Sequence, residues 1–181
     1  MIHGLYSWPC RRVYDCLYSW LYIWGKNRGM TSPLARLAEL GVRLPAVAAP
    51  VAAYVPAVRS GSLVYTSGQL PFVDGALPAT GKVGAEVDAT AAAGHAELCA
   101  LNALAAIDAL VGLDSVVRVV KVVGFVASDP SFTGQPGVIN GASNLLGRVF
   151  GDAGAHARSA VGVAVLPLDA PVEVELIVEV S

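Results

Sequence analysis

Charge is scarce in this chain, and tryptophan is missing from all of it beyond Trp24. Charged residues make up only 14% of the 181 residues and hydrophobic ones 55%, so a lone monomer would be short of charged surface. An oligomer would bury the excess. The formal net charge of −2 lacks the basic surplus that a general grip on nucleic acid needs. Cysteine is rare as well: Cys10, Cys16 and Cys99 make neither a disulfide framework nor a set of zinc ligands, and a reducing cytoplasm fits. His3, His95 and His156 lack the spacing of a metal cluster. The apolar runs are too short, or too broken by charge and proline, for the roughly 20 residues of a spanning helix. These shortages argue against nucleic acid, a membrane-spanning helix and a metal cluster, and leave a small molecule or another protein as the expected partner.

The aromatic residues are concentrated at one end. Residues 1–29 hold Trp8, Trp20 and Trp24, four of the six tyrosines and two of the three cysteines. This break in composition marks them as an extension foreign to the core, unstructured or produced by a start codon placed too far upstream. A membrane-surface anchor is the alternative, since Arg11, Arg12, Lys26 and Arg28 flank the aromatic stretch. Met30 precedes Thr31-Ser32-Pro33, which reads as the capped start of a helix ending at Gly41. A single domain is therefore expected over residues 30–181.

After a proline-spaced segment, Leu44 to Pro50, two strands are expected at Tyr54–Val58 and Ser62–Ser67, joined through Arg59-Ser60-Gly61. Asp88–Val111 reads as an alanine-rich helix with Leu98, Leu101, Leu104 and Ala105 along one stripe, stopped by Gly112. Val116–Ala127 is a strand apolar on both faces, as expected of one covered from each side. A helix at Gln135–Phe150 and strands at Arg158–Leu166 and Val172–Val180 complete the chain. The order β-β-α-β-α-β-β implies an α+β domain with the helices on one face of the sheet. The opposite face then meets another copy of the chain.

Arg158 opens the tract Arg158-Ser-Ala-Val-Gly-Val-Ala-Val-Leu-Pro167, in which nothing else is charged. With a strand's period of two it shares a face with Ala160, Gly162, Ala164 and Leu166, mostly small side chains. A guanidinium in apolar company needs an anion, and its planar fork suits a carboxylate or phosphate. Glu173 or Glu175 supplies that anion from within, or a ligand does.

The tracts Tyr65-Thr-Ser-Gly-Gln-Leu-Pro71, Val119-Val-Lys-Val-Val-Gly-Phe-Val126, Ala157-Arg-Ser-Ala-Val161 and Leu166-Pro-Leu-Asp-Ala-Pro-Val-Glu-Val-Glu175 together resemble the RidA/YjgF family. The match covers approximately Tyr54 to Val180. The resemblance implies a chorismate-mutase-like fold and a homotrimer with ligand sites between subunits. It implies hydrolysis of reactive enamines and imines, such as 2-aminoacrylate, to 2-keto acids and ammonia, without a cofactor. By resemblance, Arg158 clamps the substrate carboxylate, Glu173 serves a catalytic water, and Tyr54, Ser67 and Asn140 line the same cleft. Ala160 stands where many members have cysteine, which rules out thiol chemistry there. His95 reads as a helix-surface residue and His156 as a loop residue close to Arg158. A trimer that binds carboxylates without turnover is the alternative to the enzyme, and the endoribonuclease activity attached to some members fits the acidic balance least.

Overall fold

The structure, a computed structural model, describes residues 31–47 and 53–181; the expected extension at 1–29 lies outside the described residues. Ser32 caps helix α1 (Pro33–Glu39) by accepting the N–H of Ala35 at 3.3 Å, with Pro33 at the first helical position. Its Leu37 is buried in the core and Gly41 ends the turn at φ +69°. These are the capping residues legible in the sequence.

The hairpin lies later than its expected position. Strand β1 (Ala57–Ser60) pairs antiparallel with β2 (Leu63–Thr66), and Ser60 lies opposite Leu63, so Gly61-Ser62 is the turn. Gly61 takes φ +62°, a conformation that glycine adopts without strain. Tyr54 and Val55 lie in the loop before β1, separated from it by Pro56, which has no N–H to give a ladder.

Helix α2 (Ala89–Val111) starts where Asp88 Oδ1 accepts the N–H groups of Thr90 and Ala91, at 2.9 and 3.0 Å, and stops at Gly112 with φ +79°. Its 23 residues are long and apolar enough to cross a membrane by composition, contrary to the expectation from run length. Here they form a core helix. The buried face includes Ala92, Ala96, Cys99, Ala100, Ala103 and Ile107; of the expected stripe Leu104 and Ala105 are buried, whereas Leu98 and Leu101 are only half-buried. The reason is close packing: a Cβ at Gly141 of helix α3 (Gln135–Phe150) would lie 1.9 Å from the carbonyl oxygen of Ala93. Helices that approach so closely leave room only for small side chains.

The sheet is completed by β3 (Val116–Ala127), β4 (Ala157–Val163) and β5 (Val172–Val180), in the order β1-β2-β5-β3-β4. All neighbours are antiparallel except β3 and β4, which run parallel on either side of α3. Val122 and Val126 of β3 and Val172, Val174, Leu176 and Val178 of β5 are fully buried against the helices, with Leu104, Ile107, Ile139, Leu145 and Leu146. This is the α+β, chorismate-mutase-like arrangement, with both long helices on one face.

Loop residues Leu70, Leu77 and Leu166 cover part of the other face near Phe125 and Val163. Val58, Tyr65 and Val161 remain 50%, 38% and 44% exposed there. Ile177 and Val123 lie half-buried between them, and Lys121 donates across to Ser159 Oγ at 3.0 Å.

Candidate functional site

Arg158 lies beside Val122 in the parallel pairing of β4 with β3, so its side chain shares the helix-facing side of the sheet. One terminal nitrogen donates to Asn140 Oδ1 at 2.8 Å and Ser143 Oγ at 3.0 Å. The other donates to the Pro136 carbonyl at 3.3 Å. Residues 136, 140 and 143 follow the i, i+4, i+7 spacing of one stripe of α3, which is why a single helix face can hold the whole guanidinium. All three acceptors are neutral. Among the described residues the ion pairs are Lys82–Asp169 and Arg148–Glu97, so the half-buried Arg158 has no anion beside it.

Neither Glu173 nor Glu175 supplies the anion. They lie opposite Phe125 and Val123 on β3, an odd number of residues from Val122, and so occupy the face turned away from the helices. From Arg158 to Glu173 the path crosses two strand spacings of about 4.8 Å and three residues of about 3.3 Å, a Cα separation of about 14 Å. A guanidinium has five donors, and three are used here. The Nε–H and one terminal N–H remain, the combination that grips a carboxylate side-on.

Ser67 and Glu173 form a second cluster. The Ser67 hydroxyl donates to the Val55 carbonyl at 2.7 Å, and its N–H donates to the Pro56 carbonyl at 2.8 Å. On the other side Gln69 exchanges backbone hydrogen bonds of 2.9 and 3.0 Å with Val174. The segment between is pinned at both ends, and the carboxylate of Glu173 lies against it. A Cβ at Gly68 would sit 1.7 Å from Glu173 Oε1, so only glycine admits the carboxylate there. Burial, and secondarily the charge of Glu175, pushes the Glu173 carboxyl above the usual carboxylate range. Tyr54 is 51% exposed, one residue before Val55, whose carbonyl takes the Ser67 hydroxyl.

The five expected site residues thus divide within one chain. Arg158 and Asn140 are brought together on the helix side; Ser67 and Glu173 lie on either side of Gly68 towards the opposite face, and Tyr54 stands one residue before the Val55 carbonyl that accepts from Ser67. One cleft containing all five is not present in a single subunit, because β3 separates the two strands that carry the charged groups. Sequence reasoning missed Ser143, three residues after Asn140 on the same helix face, and the packing role of Gly68 beside Ser67, which no local pattern marks. Cys99 is fully buried, its thiol donating weakly to the Val172 carbonyl at 3.5 Å, and burial pushes its pKa well up. A shallow depression of about 820 Å³ between α2 and α3 touches Asn140 and Ser143, but Arg158 does not line it. Among the described residues no group of three metal-ligating side chains occurs.

The family described as "YjgF/chorismate_mutase-like, putative endoribonuclease" matches residues 34–180, extending the resemblance back through α1. Protein TCP17 of Trypanosoma cruzi is 49% identical over 149 residues, which are 81% of this chain and 93% of TCP17. The crystal structure of Atu1372 from Agrobacterium tumefaciens, a protein of unknown function, is 47% identical. It superposes with a TM-score of 0.77 over 90% of this chain and 99% of its own. The crystal structure of E. coli TdcF with bound serine is 28% identical, with a TM-score of 0.55 over 77% of this chain and 94% of TdcF.

Proposed function

This chain belongs to the YjgF/chorismate mutase-like family, and from that premise we propose that it hydrolyses enamines and imines of the 2-aminoacrylate type to 2-keto acids and ammonia. The observation that carries the reading is Arg158, held by three neutral acceptors with two donors still directed to no protein group among the described residues. A carboxylate is the ligand those donors suit. The serine bound to TdcF is also a small α-amino carboxylate, which supports the same ligand class.

In this reading an enamine first takes a proton at its methylene carbon and loses one from nitrogen, which gives the imine. The fork of Arg158 fixes the substrate carboxylate and with it the adjacent imine carbon. Glu173 takes a proton from water as the water oxygen attacks that carbon and the C=N electron pair moves to nitrogen. That proton passes to nitrogen, giving the amino alcohol. The hydroxyl proton then passes through Glu173 to the same nitrogen as the C–N bond breaks and the hydroxyl oxygen forms the carbonyl, so that ammonia leaves. A carboxyl raised above its ordinary range is better matched to giving and taking protons near neutrality than a fully solvated one. Ser67 and Tyr54 border the water side of the cleft. Ala160 brings no nucleophile, so water is the attacking group.

Since the two clusters lie on opposite sheet faces, a complete site in this reading takes Arg158 and Asn140 from one subunit and Ser67, Glu173 and Tyr54 from the next. A homotrimer that buries Val58, Tyr65 and Val161 would supply it and would also use the uncovered sheet face. The test is steady-state release of pyruvate and ammonia from 2-aminoacrylate generated in situ, with pyruvate binding followed by calorimetry. Turnover supports the enzyme; binding without turnover supports the alternative of a carboxylate-binding trimer.

A further inference from the structure

Behind Arg158 lies a chain of hydrogen bonds that the proposed reaction does not use. His156 Nδ1 is 2.5 Å from the Gly154 carbonyl oxygen, and its Nε2 is 3.0 Å from Ser143 Oγ. A carbonyl only accepts, so the Nδ1 atom carries the proton and, in the neutral ring, Nε2 accepts. Ser143 has one proton and two lone pairs. It accepts from Arg158 and gives its own proton to His156. Every bond then runs in one direction, from the guanidinium through the hydroxyl and the imidazole to the backbone.

The far end of this chain is fixed. Gly154 is buried, and a Cβ there would lie 2.4 Å from the carbonyl oxygen of Leu146 and 3.1 Å from the Gly147 Cα, both backbone atoms of α3. The position of the Gly154 carbonyl therefore follows from contact with the helix that also carries Ser143. Arginine, by contrast, begins with many rotamers, and β4 is an edge strand of the sheet within the chain. Asn140, which accepts at 2.8 Å, is exposed, whereas Ser143, at 3.0 Å, is half-buried and tied onward to His156.

The geometry points to Ser143 and His156 as positioning residues that hold the Arg158 fork in the orientation needed for a substrate carboxylate. The inference rests on the clamp role of Arg158. The brace acts on ground state and transition state alike, because the carboxylate is bound in both, and its loss falls on KM.

The test uses the full chain. Ser143→Ala is expected to raise KM and to weaken pyruvate binding about tenfold, the order lost with one hydrogen bond to a charged group. kcat is expected to stay within about twofold. Ser143→Thr restores the hydroxyl and is expected to recover most of the loss, with melting temperatures showing that all variants fold. In the unliganded wild type near pH 8, imidazole 15N shifts are expected to show His156 as the Nδ1–H tautomer. An Nε2–H tautomer overturns the brace whatever the turnover. Equal KM and equal pyruvate affinity in wild type and Ser143→Ala also overturn it. Failure of the wild type to turn over 2-aminoacrylate would count against the deaminase, while the tautomer and pyruvate affinities still judge the brace.

Discussion

Chains carrying Arg158→Ala and chains carrying Glu173→Gln, each inactive alone, are expected to restore activity when assembled together. The perturbation follows from the sheet. Val122 and Phe125, the β3 partners of Arg158 and Glu173, are three residues apart and point to opposite faces. With about 14 Å between the Cα atoms and a sheet between the side chains, no rotamer change in one subunit brings the two groups to one small substrate. In a ring where each site takes Arg158 from one subunit and Glu173 from its neighbour, random mixing in equal amounts makes about one quarter of the sites intact. The two variants would be unfolded together, refolded at equal concentration and assayed for pyruvate and ammonia release. Recovery of about a quarter of wild-type activity is expected, and a chain carrying both substitutions should restore none with either single variant. If mixed assemblies form, as shown by two differently tagged chains co-eluting, and remain as inactive as the single variants, the shared-site reasoning is refuted.

Gly68→Ala places a methyl group on the Glu173 carboxylate, 1.7 Å from Oε1, and is expected to lower kcat/KM about a hundredfold through displacement of that group. Far-ultraviolet circular dichroism should stay unchanged, because the glutamate side chain can move aside. Glu173→Gln is expected to raise the melting temperature at pH 7 while abolishing turnover. The folded carboxyl titrates above its unfolded value of about 4.5, so between those two values the native state holds more protons and stability falls as pH rises. The advantage of the glutamine should therefore shrink as pH is lowered towards 4.5 in a series of thermal melts. Gly141→Ala drives a Cβ against the Ala93 carbonyl and is expected to cost about 1–3 kcal/mol, or several degrees of melting temperature.

The elements with strong local signals were legible in the sequence. Asp88, Gly112 and Ser32 act as helix boundaries, and the tracts Val116–Ala127 and Val172–Val180 are strands. The hairpin was displaced because Arg59-Ser60-Gly61 resembles a turn, whereas the left-handed φ falls on Gly61 itself and the turn runs through Ser62. The buried face of α2 is only partly legible because alanines at 92, 96, 100 and 103 carry little hydrophobic contrast, and of the leucines that stand out Leu104 is fully buried while Leu98 and Leu101 pack only partly. Period two told which residues share a face of β5, but register shifts in β3 put Val119 on the helix side with Val122, so alternation describes that strand only from Lys121 onward. Period two could not tell whether Arg158 and Glu173 share a face of the sheet, since that depends on how β4 and β5 register against β3. Ser143 and His156 became readable only once the direction of Arg158 was known.

The proposed hydrolysis stands or falls with Arg158, whose open fork is proposed to clamp the carboxylate of the imine. The direct measurement is the rate of pyruvate and ammonia release from 2-aminoacrylate by the wild type, Arg158→Lys and Arg158→Ala, with their assembly state checked by gel filtration. The account predicts acceleration by the wild type, partial loss with lysine, which keeps the charge but not the fork, and loss of about a hundredfold or more with alanine. Equal rates for wild type and Arg158→Ala in intact assemblies would contradict it.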